Sequence, residues 1–467
     1  MEILKKFLNH GYLVSPELDL NKIEDVDAFL QFVRSNYRKG YVINNQVLEA
    51  FLLSTRKVSH GLKILFNFEE KYKKVGVNDF VSLYNDRYHK LKEVICRRSE
   101  ARGTISISKA LKSSSNEVFL VGMIKELRRG KGWVRAILED PTGSVPVMIR
   151  ASEKTEELVE DEVIGVYCIK RNGAFFSEAP VFPDIPEREM KKLDEDLFLC
   201  FIADIHYGSK MFLREEFEEF INFLKGKSKE EKHREIAEKI KYIFILGDIV
   251  DGIGVYPEQE RELEIPDIYS QYAGVSEYLK QIPEEKQIII IPGNHDVVRM
   301  AEPQPPLYRD VAKPLHELKN VILLSNPAMV NVEAKEGFDG FNILLYHGYS
   351  LDYLISNVNR LKKYGYEKPE LAMELLLRKR HLAPTHGSTL IAPLNQDHLT
   401  ITTIPDIFAT AHIHKAAVGT YKGVLNICCS CWQARTLFQE KVGHIPEPGR
   451  VFLVNLKNMG IRILKFV

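Results

Sequence analysis

The sequence predicts a multidomain protein in three parts: a helical N-terminal unit, a small β-barrel and a C-terminal α/β domain. Three observations predict it. The chain has 467 residues, too many for one core. Its apolar periodicity changes from helical to alternating near residue 117, and beyond residue 190 buried strand patterns alternate with amphipathic helices. We expect the parts to occupy residues 1–75, 76–116 as a linker, 117–190 and 191–467.

Residues 1–75 carry helical signals. The segments NKIEDVDAFLQFVRSN, from residue 21, and NNQVLEAFLLSTR, from residue 44, each start at an Asn able to cap a helix. Both repeat apolar residues at spacings of three and four. The following stretch to residue 116 includes RRSEARGTISISKALKSSSNE, which is polar and Ser-rich and therefore typical of a linker.

Residues 117–190 contain short segments that alternate or run apolar, separated by the turns RRGKG, DPTG and RNG. Four or five short strands in about 70 residues predict a small barrel such as an OB-fold. A barrel of this kind binds single-stranded nucleic acid or serves as a surface for docking another protein. The sequence leaves both roles open.

The C-terminal part repeatedly switches from a buried strand to polar side chains. Its strand candidates are LFLCFIADIH, KYIFILGDIVDG, KQIIIIPGNHD, NVILLSN, FNILLYHG and PDIFATAHIH. In open α/β sheets the strand ends on one side form the site crevice, so we expect the polar groups there to converge. They are Asp204, His206, Asp248, Asp251, Asn294, His295, Asp296, His347, His412 and His414.

Carboxylates, imidazoles and one amide oxygen form a hard-to-borderline ligand set that suits Mn, Fe, Zn or Mg. The groups outnumber the ligands of one ion, so two ions are expected, with Asp248 shared between them at a separation of roughly 3.5–4 Å. Such a pair activates water, which predicts phosphoester hydrolysis. Gly247, Gly293 and Gly348 stand beside these groups, where backbone must turn or approach closely. Each motif alone has an ordinary alternative, such as a helix cap at GNHD, but their order at strand ends favours a metal site.

The balance of charged residues restricts where the chain can contact nucleic acid. Lys plus Arg and Asp plus Glu number 64 each, so contact with DNA must depend on local patches. Among the basic clusters, the segment between the YHG and AHIH motifs offers candidate DNA contacts, with a solvated face as the alternative for each cluster. The candidates are Arg360, Lys362, Lys363 and Arg378.

The sequence lacks an apolar run long enough for a bilayer and a signal-type start, so we expect a cytoplasmic protein without membrane contact. Three of its six cysteines crowd together at Cys428, Cys429 and Cys431. Their spacing does not match a paired zinc knuckle, and we expect buried free thiols. We also expect His386 to be structural, because the ligand set is complete without it.

The motifs DIH, GDIVDG, PGNHD, YHG and AHIH resemble, in order, the five motifs of the calcineurin-like metallophosphoesterase superfamily. Its fold is a two-sheet sandwich flanked by helices. The order of barrel and phosphoesterase, with HLAPTHGSTLIAP and WQARTLFQEKVGHIPEPGR near the end, resembles the small-subunit family of archaeal D-family DNA polymerases. This resemblance covers essentially the whole length.

The resemblance implies a proofreading 3′–5′ DNA exonuclease, part of a heterodimer with a large polymerising subunit, with DNA and the sliding clamp as further partners. It implies Mn²⁺ as the expected ion, with Mg²⁺, Fe²⁺ and Zn²⁺ as alternatives. His295 would be the catalytic imidazole that is not a ligand. One ion would be held by Asp204, His206, Asp248 and His414, and the other by Asp248, Asn294, His347 and His412.

The sequence differs at a few positions from the motifs of related proteins, and these differences bear on the expected substrate. The last motif more often begins Gly-His, whereas Ala411 precedes His412 here. Protein phosphatases of this fold carry Arg and Glu where this chain has Gly252 and Asp296, so nucleic acid is the expected substrate. Two alternatives remain: a structural subunit whose phosphoesterase domain mainly scaffolds the large chain, and a free-standing repair nuclease. The barrel and helical unit ahead of the catalytic domain count against the second.

Overall fold

The structure, a computed structural model, describes residues 2–20, 23, 26–37, 40–45, 47–48, 61–70 and 74–467. The chain divides into two compact units, Met1–His60 and Gly61–Val467. Across the ranges just given, no helix has the length and apolar character needed to span a membrane.

The first unit combines helices with a short parallel strand pair. Its described elements are α1 (Glu2–Asn9), β1 (Leu13–Val14), α2 (Val26–Asn36) and β2 (Val42–Ile43). Phe7, Phe29 and Val33 are buried in its core. Helix α2 confirms the helix predicted from residue 21, whereas most of the helix predicted from residue 44 lies outside the described residues.

The segment 76–116 is not the irregular linker that the sequence predicts. It contains helices α3 (Val77–Cys96) and α4 (Ile107–Lys112). The apolar stripe of α3 includes Tyr88, Leu91 and Ile95, which pack against strands of the barrel. The helix is stabilised by this packing on residues that follow it in the chain, a contact that its own composition does not reveal.

A strand also lies inside the region predicted to be helical. Strand β3 (Leu62–Asn67) pairs antiparallel with β14 (Ala328–Val332) of the C-terminal domain. Because the two strands are far apart in the sequence, no turn signal next to β3 indicates the pairing.

The predicted barrel is present as five strands that close on themselves, with a short sixth strand added to β7. β5 buries alternate residues, including Val134, Ala136 and Leu138, as expected for a strand with one face in a core. The strand order is β4-β5-β6-β8-β7, closed by pairing of β4 with β7. The elements are β4 (Glu117–Arg129), β5 (Trp133–Asp140), β6 (Gly143–Arg150), α5 (Glu153–Glu156), β7 (Val163–Arg171), β8 (Ala174–Ser177) and β9 (Pro180–Val181).

The C-terminal domain is a sandwich of two six-stranded sheets. The first has the order β13 (Val321–Leu323), β12 (Gln287–Ile291), β11 (Ile240–Leu246), β10 (Phe198–Ile202), β19 (Arg450–Asn455) and β20 (Gly460–Lys465). The second has the order β17 (Ala417–Tyr421), β18 (Val424–Cys428), β16 (Ile407–Thr410), β15 (Phe341–Leu345), β14 and β3.

The two sheets bury their facing sides against each other. Phe201, Phe244 and Ile289 of the first sheet share one core with Val330 and Ile343 of the second. Helices cover both outer faces, as in the predicted two-sheet sandwich. Those on the first sheet are α6 (Arg214–Leu224), α7 (Glu231–Lys239), α8 (Ile268–Leu279) and α9 (Lys313–His316). Those on the second are α10 (Leu351–Asn357), α11 (Asn359–Lys362) and α12 (Pro369–Lys379).

A buried ion pair joins α3 to the C-terminal domain. Arg87 Nε lies 2.6 Å from Asp397 Oδ2, and both side chains are 0% exposed. His381 Nε2 lies 2.8 Å from the same carboxylate oxygen. Burial raises the pKa of Asp397, but the charges of His381 and Arg87 outweigh it and hold that pKa well below its usual range. The carboxylate is therefore ionised and fixes α3 on the domain.

Replacing Arg87 by Ala should destabilise the chain strongly. The change leaves Asp397 buried with one partner fewer, and breaking a buried pair costs about 3–5 kcal/mol. Thermal unfolding followed by circular dichroism measures the effect. Arg97→Ala, on the same helix but in an exposed pair with Glu93, is the control and should cost at most about 1 kcal/mol. Equal unfolding temperatures for the two variants would contradict the structural role of Arg87.

Candidate metal centre

The predicted ligands follow strands that stop in an unusual backbone conformation. Strands β10, β11 and β16 end one or a few residues before them. Such left-handed backbone is costly for residues other than glycine and concentrates at functional sites. The residues with positive φ are Asp204 (49°), His206 (50°), Asp248 (49°), His412 (70°) and His414 (54°). Sharp turns thus bring side chains from both sheets to one crevice.

Two glycines allow the strand ends to approach each other closely. A Cβ added at Gly293 would overlap Asp248 Oδ1, and one added at Gly247 would lie 2.7 Å from His347 Nδ1. Gly247 also has a φ of 90°, which favours glycine. These positions fit the close approach that the sequence predicts for them.

One group of candidate ligands comprises Asp204, His206 and His414, whose ligand atoms all lie within 4.8 Å of one another. The Nε2 atoms of the two imidazoles face each other at 3.1 Å. Asp204 Oδ1 is buried and has no hydrogen-bond partner in the described part of the chain. Asp251 Oδ1 lies 3.1 Å from His206 Nδ1 and so orients that ring with Nε2 toward the group.

A second group comprises Asp248, His347 and His412, again with ligand atoms within 4.8 Å. His347 Nδ1 lies 2.7 Å from the Leu246 carbonyl oxygen. Because a carbonyl can only accept a hydrogen bond, Nδ1 carries a proton and donates it. Its Nε2 therefore faces the crevice, 3.0 Å from Asn294 Oδ1 and 3.4 Å from Asp248 Oδ2. The predicted ligands Asn294, His347 and Asp248 are thus adjacent.

His412 belongs to this second group and is held from two sides. Its Nε2 lies 2.8 Å from Asp352 Oδ2, which leaves Nδ1 as the nitrogen available to bind a metal ion. Its backbone N–H donates to Asp204 Oδ2 at 3.0 Å. His412 therefore connects the two groups through the backbone.

His295 lies beside the candidate ligands His206 and Asp248 and is partly buried. Its backbone N–H donates to Asp248 Oδ1 at 2.8 Å, and its Nδ1 donates to the Asp251 carbonyl at 2.8 Å. The ring is 4.6 Å from that of His206, edge to face. The carbonyl contact assigns the Nδ1 proton, so Nε2 is the nitrogen left to face a substrate.

The electrostatics of the crevice reflect two carboxylates taken out of water. Burial raises the pKa of Asp204 well above its usual range, and the neighbouring charge of Asp248 raises it further. Burial also opposes the charge of Asp248, but His347 and His295 hold its pKa well below the usual range. Burial would lower the pKa of His347, yet the charges of Asp248 and Asp204 raise it to about 10. The site requires positive charge beside its carboxylates.

The donor set fits divalent metal ions. Asp204 Oδ1 lacks a partner in the described residues, two imidazole nitrogens face each other, and Asp248 belongs both to the second group and to a third with His206 and His295. Nitrogen and oxygen donors of this kind suit Mn, Fe, Zn or Mg.

Several residues that organise the crevice are missing from the sequence prediction. The Gln439 amide lies 2.9 Å from His414 Nδ1, Asp352 holds His412, and Asn326 Oδ1 accepts from the His347 backbone N–H at 2.9 Å. Asp296 is not a ligand, since it bonds the Gly293 backbone N–H at 2.9 Å and the Tyr272 hydroxyl at 3.2 Å. No local pattern distinguishes these residues, because a supporting hydrogen bond requires only a polar side chain at the right place.

The two predicted DNA-binding arginines are engaged inside the protein. Arg360 and Arg378 both bond Glu157, which is 2% exposed, and Arg378 also bonds Glu374. Their guanidinium groups neutralise a buried carboxylate, and their contact with DNA stays a prediction. Lys362 and Lys363 stay predicted DNA contacts.

Two further expectations agree with the structure. His386 Nδ1 lies 2.8 Å from the Tyr84 hydroxyl and belongs to none of the three groups of candidate ligands, as expected of a structural His. Cys428, Cys429 and Cys431 are buried free thiols. Burial raises the pKa of Cys428 to about 12, so its thiol is protonated at neutral pH.

Gly293→Ala should weaken metal binding while the fold persists. The added Cβ displaces Asp248, so we expect Mn²⁺ affinity to fall by about 10–100-fold, the range seen when support of a metal ligand is lost. Isothermal titration calorimetry with Mn²⁺ measures this. Gly387→Ala, where a Cβ meets nothing within 4 Å, is the control and should bind like the unaltered chain. Unchanged affinity in Gly293→Ala would show that the ions bind elsewhere.

The fold and the crevice define a class of protein. Residues 199–416 match the family model described as calcineurin-like phosphoesterase, and this range contains every candidate ligand named above. The C-terminal domain is therefore a calcineurin-like phosphoesterase domain.

Relatives along the whole chain specify the family. The DNA polymerase II small subunit of Archaeoglobus fulgidus is 38% identical, over 96% of this chain and 94% of the relative. Those of Methanothermobacter thermautotrophicus and Thermoplasma acidophilum are 35% and 34% identical, over 97% and 99% of this chain and 98% and 92% of the relatives. The chain belongs to the DNA polymerase II small subunit family, which confirms the resemblance seen in its motifs.

A solved archaeal phosphodiesterase covers 57% of this chain and 99% of its own length, with 12% identity and a TM-score of 0.28. That likeness is too low to support an inference.

Proposed function

We propose that this chain is a metal-dependent 3′–5′ DNA exonuclease that proofreads for a DNA polymerase while bound to its large polymerising subunit. The observation that carries the proposal is that all seven predicted ligand positions hold donor side chains and converge on one crevice beside His295. Family membership supplies the polymerase context, because the relatives are named as small subunits. A proofreader must be tethered to its polymerase to meet a mismatched end, so the catalytic and docking roles are compatible.

The two groups in the crevice support two ions that share Asp248. Asp204, His206, Asp248 and His414 would hold one ion, and Asp248, Asn294, His347 and His412 the other. We expect Mn²⁺, with Mg²⁺, Fe²⁺ and Zn²⁺ compatible with the same donors. When bound, such ions supply an activated water and stabilise the charge of the attacked phosphate.

His295 supplies the proton chemistry in this proposal. Its Nδ1–H is fixed by the Asp251 carbonyl, so Nε2–H of the protonated ring would be the acid for the departing 3′ oxygen. The carboxylate of the same Asp251 orients His206. One residue thus holds both a candidate ligand and the candidate acid in position.

The support for a nucleic-acid substrate comes from the residues around the site. The chain has Gly252 and Asp296 where protein phosphatases of this fold carry Arg and Glu. Asp296 is used within the loop, bonded to Gly293 and Tyr272, and is therefore not available to a substrate.

Asp248→Asn should abolish hydrolysis and leave the association with the large subunit intact. Asn keeps the shape of Asp but removes the charge that both proposed ions require. Release of 3′ nucleotides from a mismatched primer-template with Mn²⁺ measures activity, and gel filtration with the large subunit measures association. Near-normal nuclease activity in the variant would defeat the assignment of Asp248 as the shared ligand.

His295→Ala should lower kcat for 3′ nucleotide removal by about 10²–10⁴-fold, the usual contribution of a positioned general acid. Metal binding should persist, because His295 is not in the proposed ligand sets. His386→Ala is the matched control and should retain full activity. If the unaltered chain removes no nucleotide even with the large subunit present, the scaffold function replaces the enzymatic one.

A further inference from the structure

A short helix beside the crevice displays apolar side chains that the domain core does not use. Helix α13 (Leu437–Lys441) buries none of its residues. Within it and the loop that follows, four large apolar side chains are exposed, at 47–61%. They are Leu437, Phe438, Val442 and Ile445. Contiguous apolar exposure of this kind marks a binding surface more often than a folding requirement.

Polar bonds, not a core, hold α13 in place next to the ligands. Thr436 caps the helix by accepting from the Gln439 backbone N–H at 3.2 Å. The Gln439 side chain then reaches His414, and the Leu437 backbone N–H donates to Glu262 at 3.1 Å. The position of α13 is therefore tied directly to a candidate metal ligand.

An aromatic path connects this helix to the proposed acid. The ring of Phe438 lies 5.3 Å from that of Tyr256, tilted by 30°. The Tyr256 ring lies 6.2 Å from that of His295. The Tyr256 hydroxyl donates to Glu262 at 2.7 Å, the same carboxylate that receives the Leu437 N–H, so ring and helix are fixed together. Tyr256 supports one face of Phe438, and 47% of the Phe438 side chain remains open to solvent.

We propose that Phe438 is the stacking platform for the unpaired base at the 3′ end of the DNA strand whose phosphodiester lies in the crevice. This inference rests on the proposed nuclease function. Every base has a π face, and stacking on an exposed aromatic ring requires no particular base, as a proofreading subunit needs.

The surroundings of the helix favour a nucleic-acid strand. Arg435 and Lys441 flank α13 and are exposed. Arg435 Nε donates to the His444 carbonyl at 2.7 Å and Lys441 lies 3.9 Å from Glu258 in an exposed pair, which leaves the other N–H groups of both side chains to meet backbone phosphates beside a stacked base. Only the Tyr256 ring lies between Phe438 and His295, and a short single strand can span this separation. A protein segment from the large subunit would use the aliphatic neighbours Leu437, Val442 and Ile445 as much as Phe438, and the test separates the two.

The test compares two oligonucleotides of identical sequence whose 3′-terminal residue carries either thymine or a tetrahydrofuran abasic sugar. The full chain is assayed with the large subunit and Mn²⁺. We expect the unaltered chain to prefer the base-bearing end by about tenfold in kcat/KM. Phe438→Ala should lose that preference by slowing only the base-bearing substrate, and Phe438→Trp should restore it. Val442→Ala, an exposed apolar position at the end of the same helix, is the matched control.

The outcomes distinguish the inference from the proposed function. Equal slowing of both ends, or no change at either, in Phe438→Ala would overturn the stacking role while leaving the nuclease intact. Weakened association with the large subunit at an unchanged preference would also overturn it, in favour of a protein-docking surface. Cleavage of neither end by the unaltered chain would instead reject the nuclease function.

A binding measurement tests stacking without catalysis. In the Asp248→Asn background, a single strand ending in 2-aminopurine should lose fluorescence on binding, because stacking on an aromatic ring quenches it. Adding Phe438→Ala should remove the quench. A quench of equal size in both variants would reject Phe438 as the platform.

Discussion

The candidate site depends on the burial of two carboxylates side by side. Asp204 and Asp248 are 0% and 1% exposed, and each makes ionisation of the other more costly. Imidazoles from both sheets surround them, and divalent ions would supply the larger positive charge that such a pair requires. The left-handed backbone at five of the candidate ligands adds strain to this repulsion. The extensive apolar core between the two sheets holds the arrangement together, because the turns cannot relax without separating the strands that precede them.

Much of the architecture can be predicted from the sequence, because buried strands leave a strong local signal. The four isoleucines from Ile288 to Ile291 predict a buried strand without any information about their neighbours. The turn residues of the barrel likewise mark where its strands begin and end. Helix α3 and strand β3 are different. Helix α3 packs on the barrel and strand β3 pairs with β14. Both segments are only moderately apolar, and they are stabilised by residues distant in the sequence, so their own sequences do not predict them.

The candidate ligands were predictable for a chemical reason. Metal ions bind few types of side chain, so Asp, Asn and His at strand ends can be recognised as candidate ligands. Supporting residues such as Gln439 and Asp352 carry no such restriction, and their roles follow only from where the fold places them. The partner of a charged side chain is also ambiguous in sequence: Arg378 can meet a phosphate or a glutamate, and in this structure it bonds the buried Glu157.

The pairing of β3 with β14 makes the barrel a topological insertion. The chain contributes an edge strand to the phosphoesterase sandwich first, then builds α3 and the barrel, and returns to complete the sheets. A shortened chain that begins at residue 191 would therefore leave β14 as an unprotected edge, a template for aggregation. During synthesis β3 stays unpaired until β14 emerges, and this pairing between distant segments raises the contact order of the domain, which slows folding.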